Sequence, residues 1–296
     1  MKVLVIGSKG QLGRELLAMG PCGQGEWIGL SRAEIDISNR QQTVAVVRHH
    51  RPTLIINAAA YTKVDKAESE PSAAFAVNGN GPAHLADICS ALGIALIHVS
   101  TDFVFDGQKG SPYREDDSPA PLSVYGQSKL AGEEAVRERL DRHVMIRTSW
   151  LYAIYGQNFV KTILRLAAEK ETLRVVNDQH GCPTLASDLA EAILKIAGRI
   201  HRPRAALWGT YHYCGQGATT WYGFAQAIVQ FARQLTPLKV QTLEAIPTTQ
   251  YPTPARRPAN SVLDCSKIET AFGISIQPWK QRLEATLPAI IAAGST

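Results

Sequence analysis

The sequence predicts an α/β protein: a doubly wound parallel sheet with a smaller mixed α/β lobe. Three observations carry this. Short β-branched runs alternate with helix-spaced stretches through the first half of the chain. The runs are apolar throughout rather than alternating, as strands buried on both faces are. A glycine turn joins the first run to the first helical stretch.

In order, the predicted strands of the first half are residues 2–6, 27–30, 53–57, 94–100 and 144–148, and the predicted helices 12–19, 41–51, 71–92 and 124–140. The second half is less regular. Residues 173–177 and 211–214 read as short strands, and 185–200, 221–235 and 279–293 as helices. Residues 247–258 hold four prolines and predict an extended loop. The expected division is a nucleotide-binding domain over 1–150 plus returning segments, and a substrate-binding lobe over most of 151–296, interleaved with the first.

At 296 residues, 45% hydrophobic and 19% charged, the chain can bury a full core and is not of disordered composition. The net charge of +5 is mild. Its densest basic stretch, Arg48-His49-His50-Arg51, reads as a solvated helix end, so no nucleic-acid partner is expected. The five cysteines (Cys22, Cys89, Cys182, Cys214 and Cys265) are odd in number, widely spaced and without a Cys-x-x-Cys pair. That argues against a disulfide framework or a zinc site. The first apolar run is too short for a signal-peptide core, and no run reaches the length of a membrane span. A soluble cytoplasmic protein is expected.

Gly7-Ser8-Lys9-Gly10-Gln11-Leu12-Gly13 lies between a strand and a helix. The first glycine permits the tight turn, the second lets a pyrophosphate approach the backbone, and the third lets the helix pack closely. Free amides and the helix dipole then attract phosphates. The pattern therefore predicts a Rossmann-like dinucleotide site. At the end of the second strand, Leu30-Ser31-Arg32 offers a hydroxyl and a guanidinium rather than the acid usual in NAD-specific sites, so Ser31 and Arg32 predict NADPH as the preferred coenzyme, with NADH second. Asp36 and Ile37 are candidates to flank the adenine. Ala58, Ala59 and Ala60 offer small side chains beside the ribose or pyrophosphate.

Tyr125 and Lys129 are four residues apart, on one helix face, and follow a strand ending in Ser100-Thr101-Asp102. Reducing a ketone requires a hydride at carbon and a proton at oxygen. A phenol titrates near 10 on its own, and a nearby ammonium lowers that toward the working pH; a three-unit shift is worth roughly 4 kcal/mol. Lys129 can also bond the nicotinamide ribose, and the Thr101 hydroxyl can orient the ketone.

Several stretches carry a resemblance. They include Asn57-Ala-Ala-Ala-Tyr-Thr-Lys-Val-Asp-Lys-Ala-Glu-Ser-Glu-Pro71, Ser100-Thr-Asp-Phe-Val-Phe-Asp-Gly107 and Val124-Tyr-Gly-Gln-Ser-Lys-Leu-Ala-Gly-Glu133. They continue with Arg147-Thr-Ser-Trp-Leu-Tyr152, Asn158-Phe159, Asn177-Asp-Gln-His-Gly-Cys-Pro-Thr184 and Tyr251-Pro-Thr-Pro-Ala-Arg-Arg-Pro-Ala-Asn-Ser261. Nearly end to end, the chain resembles the dTDP-4-dehydrorhamnose reductases, extended short-chain dehydrogenase/reductases that complete dTDP-L-rhamnose for cell-surface polysaccharide. The resemblance implies NAD(P)H-dependent reduction of the C4 ketone of dTDP-4-dehydro-L-rhamnose. By position it gives Thr101, Tyr125 and Lys129 the catalytic roles and Gly10, Gln11 and Leu12 the pyrophosphate turn. It places Asp102 and Trp150 on the sugar nucleotide, Thr62 and Val64 along the sugar pocket, and Arg257 at the diphosphate. Some members are described as dimers bridged by magnesium through an acid in the first helix and another after the Pro-Thr turn. Glu15 matches the first, but Ser187 stands at the second position with Asp188 beside it. No metal is therefore expected, and the chain reads as a monomer or homodimer.

Two other functions share parts of this pattern. A 4,6-dehydratase needs a further acid/base pair beside the threonine, and Phe103 after Asp102 denies the second carboxylate. A non-catalytic NADP-binding regulatory subunit needs no chemistry, whereas Thr101, Tyr125 and Lys129 are all present.

Overall fold

The computed structural model describes residues 1–20, 25–200 and 207–294; Cys22 lies outside them. In chain order the elements are β1 (Lys2–Ile6), α1 (Gln11–Met19), β2 (Glu26–Leu30), α2 (Arg40–His50), β3 (Leu54–Asn57), α3 (Val64–Ala67), α4 (Pro71–Phe75), α5 (Gly81–Leu92), β4 (Ala95–Thr101), α6 (Val124–Arg139) and β5 (His143–Thr148). There follow β6 (Leu151–Tyr152), α7 (Phe159–Glu169), β7 (Thr172–Val176), β8 (His180–Gly181), β9 (Thr184–Leu185), α8 (Ala186–Ile200), β10 (Gly209–His212), β11 (Thr219–Thr220), α9 (Trp221–Ala232), β12 (Thr242–Ile246), α10 (Ser266–Phe272) and α11 (Trp279–Gly294).

The main sheet has six strands in the order β2-β1-β3-β4-β5-β10, every pair parallel. The strands are apolar throughout because both faces are covered. Val3, Val5, Ile56, Ile97 and Ile146 point to α1, α8 and α10, where they meet Leu16, Leu189, Ile193 and Phe272. Leu4, Ile6, Ile55, Leu96 and Met145 point to α2, α5 and α6, where they meet Val47, Leu85, Ile88 and Val136. Each such side chain contributes about 1.5–3 kcal/mol by leaving water. The sheet order reverses at β1, flanked by β2 on one side and β3 on the other, and folds of this kind bind ligands beyond the carboxyl ends of the strands at that point.

A second core lies among α7, α9, α11 and the parallel pair β7–β12, with Tyr152, Ile163, Val175, Phe224, Ile228 and Leu287 at its centre. The chain returns from this part to the main sheet as β10, beside β5, and as α8, against α1.

Several details depart from the sequence reading. Helix 71–92 is interrupted by a π-helical turn over Ala76–Asn80. Helix α7 was not anticipated, although Asn158 caps it and Val160, Ile163 and Ala167 form a buried stripe at helical spacing. Strand β12 and helix α10 were also missed. Among the described residues no helix is long and apolar enough to cross a membrane.

Candidate functional site

The glycine turn leaves β1 at Gly7, whose φ of +88° favours glycine. The Gly7 and Ser8 amides donate to the Leu30 carbonyl at 2.9 and 3.1 Å, which ties the turn to the end of β2. A Cβ at Gly7 would lie 2.7 Å from the Ala59 nitrogen, and one at Gly13 only 2.2 Å from the Gly7 carbonyl oxygen. Gly10 precedes α1 in an extended conformation; no side chain caps this helix, and its first turn holds no acid. Leu12 buries its side chain in the core, so it presents backbone alone. Ala58 donates to the Ile6 carbonyl, and Ala59 to the Asn57 side chain, which lays residues 58–60 beside the turn. From the second half, Asn158 donates to Gln11 Oε1 at 3.1 Å. A turn closed by glycines, with an uncapped helix start, fits the pyrophosphate of a dinucleotide.

The adenosine side differs from the sequence reading. No acid stands at residues 30–32, but the structure brings one there. Glu34 folds back so that its Oε2 accepts from both the Ser31 amide and the Ser31 hydroxyl, each at 2.7 Å. These two bonds, with the Lys9 charge, hold the Glu34 carboxyl below its ordinary range. Arg32 is exposed and reaches Asp36 at 3.7 Å. Asp36 itself accepts from the Ser38 amide and hydroxyl. Ile37, expected beside the adenine, is only 3% exposed and packs inward with Leu30, Ile35 and Val47, which leaves its backbone alone for a ligand.

Thr101 ends β4, and α6 carries Tyr125 and Lys129, one turn apart and both buried. Tyr125 lies beside the Thr101 hydroxyl and meets Phe103 edge to face at 5.6 Å. Spacing predicts a phenol lowered by the ammonium. Instead burial pushes Tyr125 up to about 12, against the pull of the Thr101 hydroxyl and with a smaller push from the Asp102 charge. The reason is geometric: Lys129 Nζ turns to the strand and donates to the Val99 carbonyl at 2.7 Å. Burial brings Lys129 down to about 8, countered in part by Glu133 one turn on. Glu133 is fully buried and grips Arg147, Nε to Oε1 at 3.0 Å and Nη2 to Oε2 at 2.7 Å.

Asn78, on the π turn, joins the pieces. Its Oδ1 accepts from the Tyr61 amide at 2.8 Å, and its Nδ2 donates to the Tyr61 carbonyl and to Ser128 Oγ, each at 3.0 Å. Ser128 in turn donates to the Tyr125 carbonyl. A π turn inside helices commonly marks a functional position. No sequence periodicity announces one, so Asn78 was missed, as was Glu133.

Asp102 is buried; Oδ1 accepts from Thr101 at 3.0 Å, while Oδ2 has no partner among the described residues. Burial pushes its carboxyl up to about 6, against the opposing pull of the neighbouring Ser261 and Thr101 hydroxyls. Ser100 Oγ and Thr148 Oγ1, at the same ends of β4 and β5, are likewise buried and unpartnered among the described residues. Val64 packs in the cluster that holds Tyr125, and Thr62 is exposed nearby in sequence. Trp150 has a φ of +47° and does not present an open face: it stacks on Trp221 at 3.5 Å and 7°, with Gly181 against its ring. Trp221, unremarked in the sequence, is held by Gln179 at 3.2 Å. Arg257 donates to both oxygens of Asp65, at 3.0 and 2.8 Å, and to the Ala255 carbonyl. It ties the proline loop to α3, so reaching a diphosphate means giving up part of that pair. Glu15 is buried on α1 and raised by that burial and by the charge of Asp188, whose carboxylate is engaged by Arg282 at 2.6 Å.

Comparison with known proteins bears on the whole chain. A family model described as the RmlD substrate binding domain matches residues 1–291. A protein of Sinorhizobium fredii (strain NBRC 101917 / NGR234) named dTDP-4-dehydrorhamnose reductase is 43% identical over 295 residues, 99% of each chain. A crystal structure of a dTDP-4-dehydrorhamnose reductase from Clostridium acetobutylicum superposes with a TM-score of 0.90 at 35% identity, covering 96% of this chain and 98% of that one. The Bacillus anthracis enzyme of the same name, solved in complex with NADP, superposes with a TM-score of 0.88 at 38% identity, covering 96% and 97%.

Proposed function

The chain belongs to the dTDP-4-dehydrorhamnose reductase family, and from that membership we propose that it reduces the C4 ketone of dTDP-4-dehydro-L-rhamnose with NAD(P)H to give dTDP-L-rhamnose. The observation that carries the reading is the junction of Thr101, Tyr125 and Lys129, buried together beyond the strand ends, on the sheet that also bears the glycine turn.

The reduced coenzyme, when bound, supplies the hydride. Gly7, Gly10 and Gly13 would let the backbone approach its pyrophosphate, and Gln11 and Leu12, in the uncapped first turn of α1, would offer it their amides. NADPH is the preferred coenzyme and NADH the second by the Ser31–Arg32 argument, and the NADP complex of the relative supports the first. Tyr125, kept protonated at rest by its burial, donates its hydroxyl proton to the ketone oxygen. Thr101, whose hydroxyl proton rests on Asp102 Oδ1, turns that proton to the ketone oxygen and orients it. The Lys129 ammonium, on the Val99 carbonyl at rest, turns from it to stabilise the phenolate left behind; at about 8 it is charged at neutral pH. The unpartnered Asp102 Oδ2 accepts from a sugar hydroxyl. The domain reading follows: the six-stranded sheet and its helices hold coenzyme, and the part built on α7, α9 and α11 closes over sugar and nucleotide.

The test is Tyr125→Phe with dTDP-4-dehydro-L-rhamnose, following NADPH oxidation. Turnover is expected to fall at least about a thousandfold while NADPH still binds. Unchanged turnover in that variant, or wild-type protein that leaves NADPH unoxidised with this substrate, would overturn the reading.

A further inference from the structure

We infer that Glu34 sets the coenzyme selectivity of this site by occupying the two donors that a 2′-phosphate would need, an inference that rests on the NAD(P)H reading above. In a doubly wound fold, the ribose of a dinucleotide seated on the glycine turn lies over the end of the second strand. Here that point is Ser31, which is buried and adjoins Leu30, the residue whose carbonyl receives the Gly7 and Ser8 amides. Both donors of Ser31 converge on one oxygen of Glu34 at 2.7 Å. The tight turn over 31–35, in which the amides of Glu34 and Ile35 return to the Ser31 carbonyl at 3.0 Å, aims the side chain there. Lys9, in the glycine turn, acts on the same carboxylate.

The two coenzymes meet this arrangement differently. The 2′-hydroxyl of NADH donates to the Glu34 carboxylate as it stands, the contact that acidic residues make at this point of the fold. The 2′-phosphate of NADPH is an anion with acceptors only, so Glu34 repels it and denies it the Ser31 amide and hydroxyl. Glu34 is exposed and free to swing out. Ser31, Lys9 and the loosely held Arg32 are then left as a cationic, donor-rich seat for the phosphate. The chain therefore accepts both coenzymes, and Glu34 lowers the preference for NADPH that Ser31 and Arg32 would otherwise impose. A purely structural role is also familiar for this pattern, since Ser-x-x-Glu forms a capping box. Selectivity separates the two roles, because a cap affects stability without telling one coenzyme from the other.

The experiment is calorimetric titration of the full chain, wild type, Glu34→Ala and Glu34→Gln, with NADPH and NADH, and with adenosine 2′,5′-bisphosphate against 5′-AMP, alongside thermal melts. Glu34→Ala is expected to tighten NADPH and the bisphosphate and to weaken NADH, moving the Kd ratio toward NADPH by about tenfold or more. Glu34→Gln, which keeps an acceptor for Ser31 but loses the charge, moves the ratio the same way. A ratio that stays within about twofold in both variants, with or without a lower melting temperature, overturns the inference and leaves Glu34 a cap. Wild-type protein that binds neither coenzyme overturns the NAD(P)H reading itself, and this inference with it.

Discussion

Replacing Lys129 with methionine should make the protein more stable and much less active. Lys129 is only 2% exposed, and burial lowers it from 10.5 to about 8. That fall corresponds to roughly 3 kcal/mol by which the folded state disfavours the charge. Methionine has a similar length and no charge. It forfeits the bond to the Val99 carbonyl, worth about 1.5–3 kcal/mol for a charged donor. The net expectation is a gain of up to about 1.5 kcal/mol at neutral pH. The sign with pH follows from the two protonation states. Below about 8 both folded and unfolded chains hold the proton, and the penalty is complete. Between about 8 and 10.5 the unfolded chain alone holds it, so wild-type stability climbs with pH. The advantage of Lys129→Met should therefore be full below about 8, vanish between about 8 and 10.5, and turn into a small loss near 10.5, where only the missing Val99 bond remains. Urea denaturation at several pH values measures it. The kcat/KM for ketone reduction should fall at least about a hundredfold, because nothing then stabilises the Tyr125 phenolate. A variant less stable than wild type at neutral pH, or a gain that does not shrink with rising pH, would refute the account of Lys129 as a charge held at a cost.

Two further substitutions test the framework of the site. Gly13→Ala puts a Cβ 2.2 Å from the Gly7 carbonyl oxygen, so the turn must open; NADPH affinity should fall at least about tenfold by calorimetry, with a stability loss of about 1–3 kcal/mol. Retained affinity would show that the turn does not seat the coenzyme. Glu133→Ala strands the buried Arg147 guanidinium and should cost about 3–5 kcal/mol in chemical denaturation. A loss below about 1 kcal/mol would mean that Arg147 finds another partner, such as His212, 3.5 Å from its Nη1.

Much of the site was legible because its cues are local. The glycine turn is a short stretch whose backbone crowding demands glycine wherever it occurs, and Tyr125 and Lys129 share a helix face by spacing alone. Glu34 is equally local, since Ser31-x-x-Glu34 is a capping pattern, but here it closes a turn with no helix following and so carries no helical spacing to mark it. Asn78 was not legible, because it acts from a π turn on Tyr61 and Ser128, 17 and 50 residues away. The stacking of Trp150 on Trp221 likewise joins residues far apart in sequence, and a positive φ at a tryptophan has no signature in the residue type.

By itself, then, the sequence determined the doubly wound sheet, the glycine turn and the helix face that bears the tyrosine and lysine. Uniformly apolar strands, Cβ-free turns and four-residue spacing are properties of short stretches of chain. The tertiary structure alone decided where the charges end up: Lys129 on a strand carbonyl, Glu133 on Arg147, Asp65 on Arg257 and Asp188 on Arg282. Those partners come from elements distant in the chain, and a buried charge takes whichever partner the packing brings within hydrogen-bond reach.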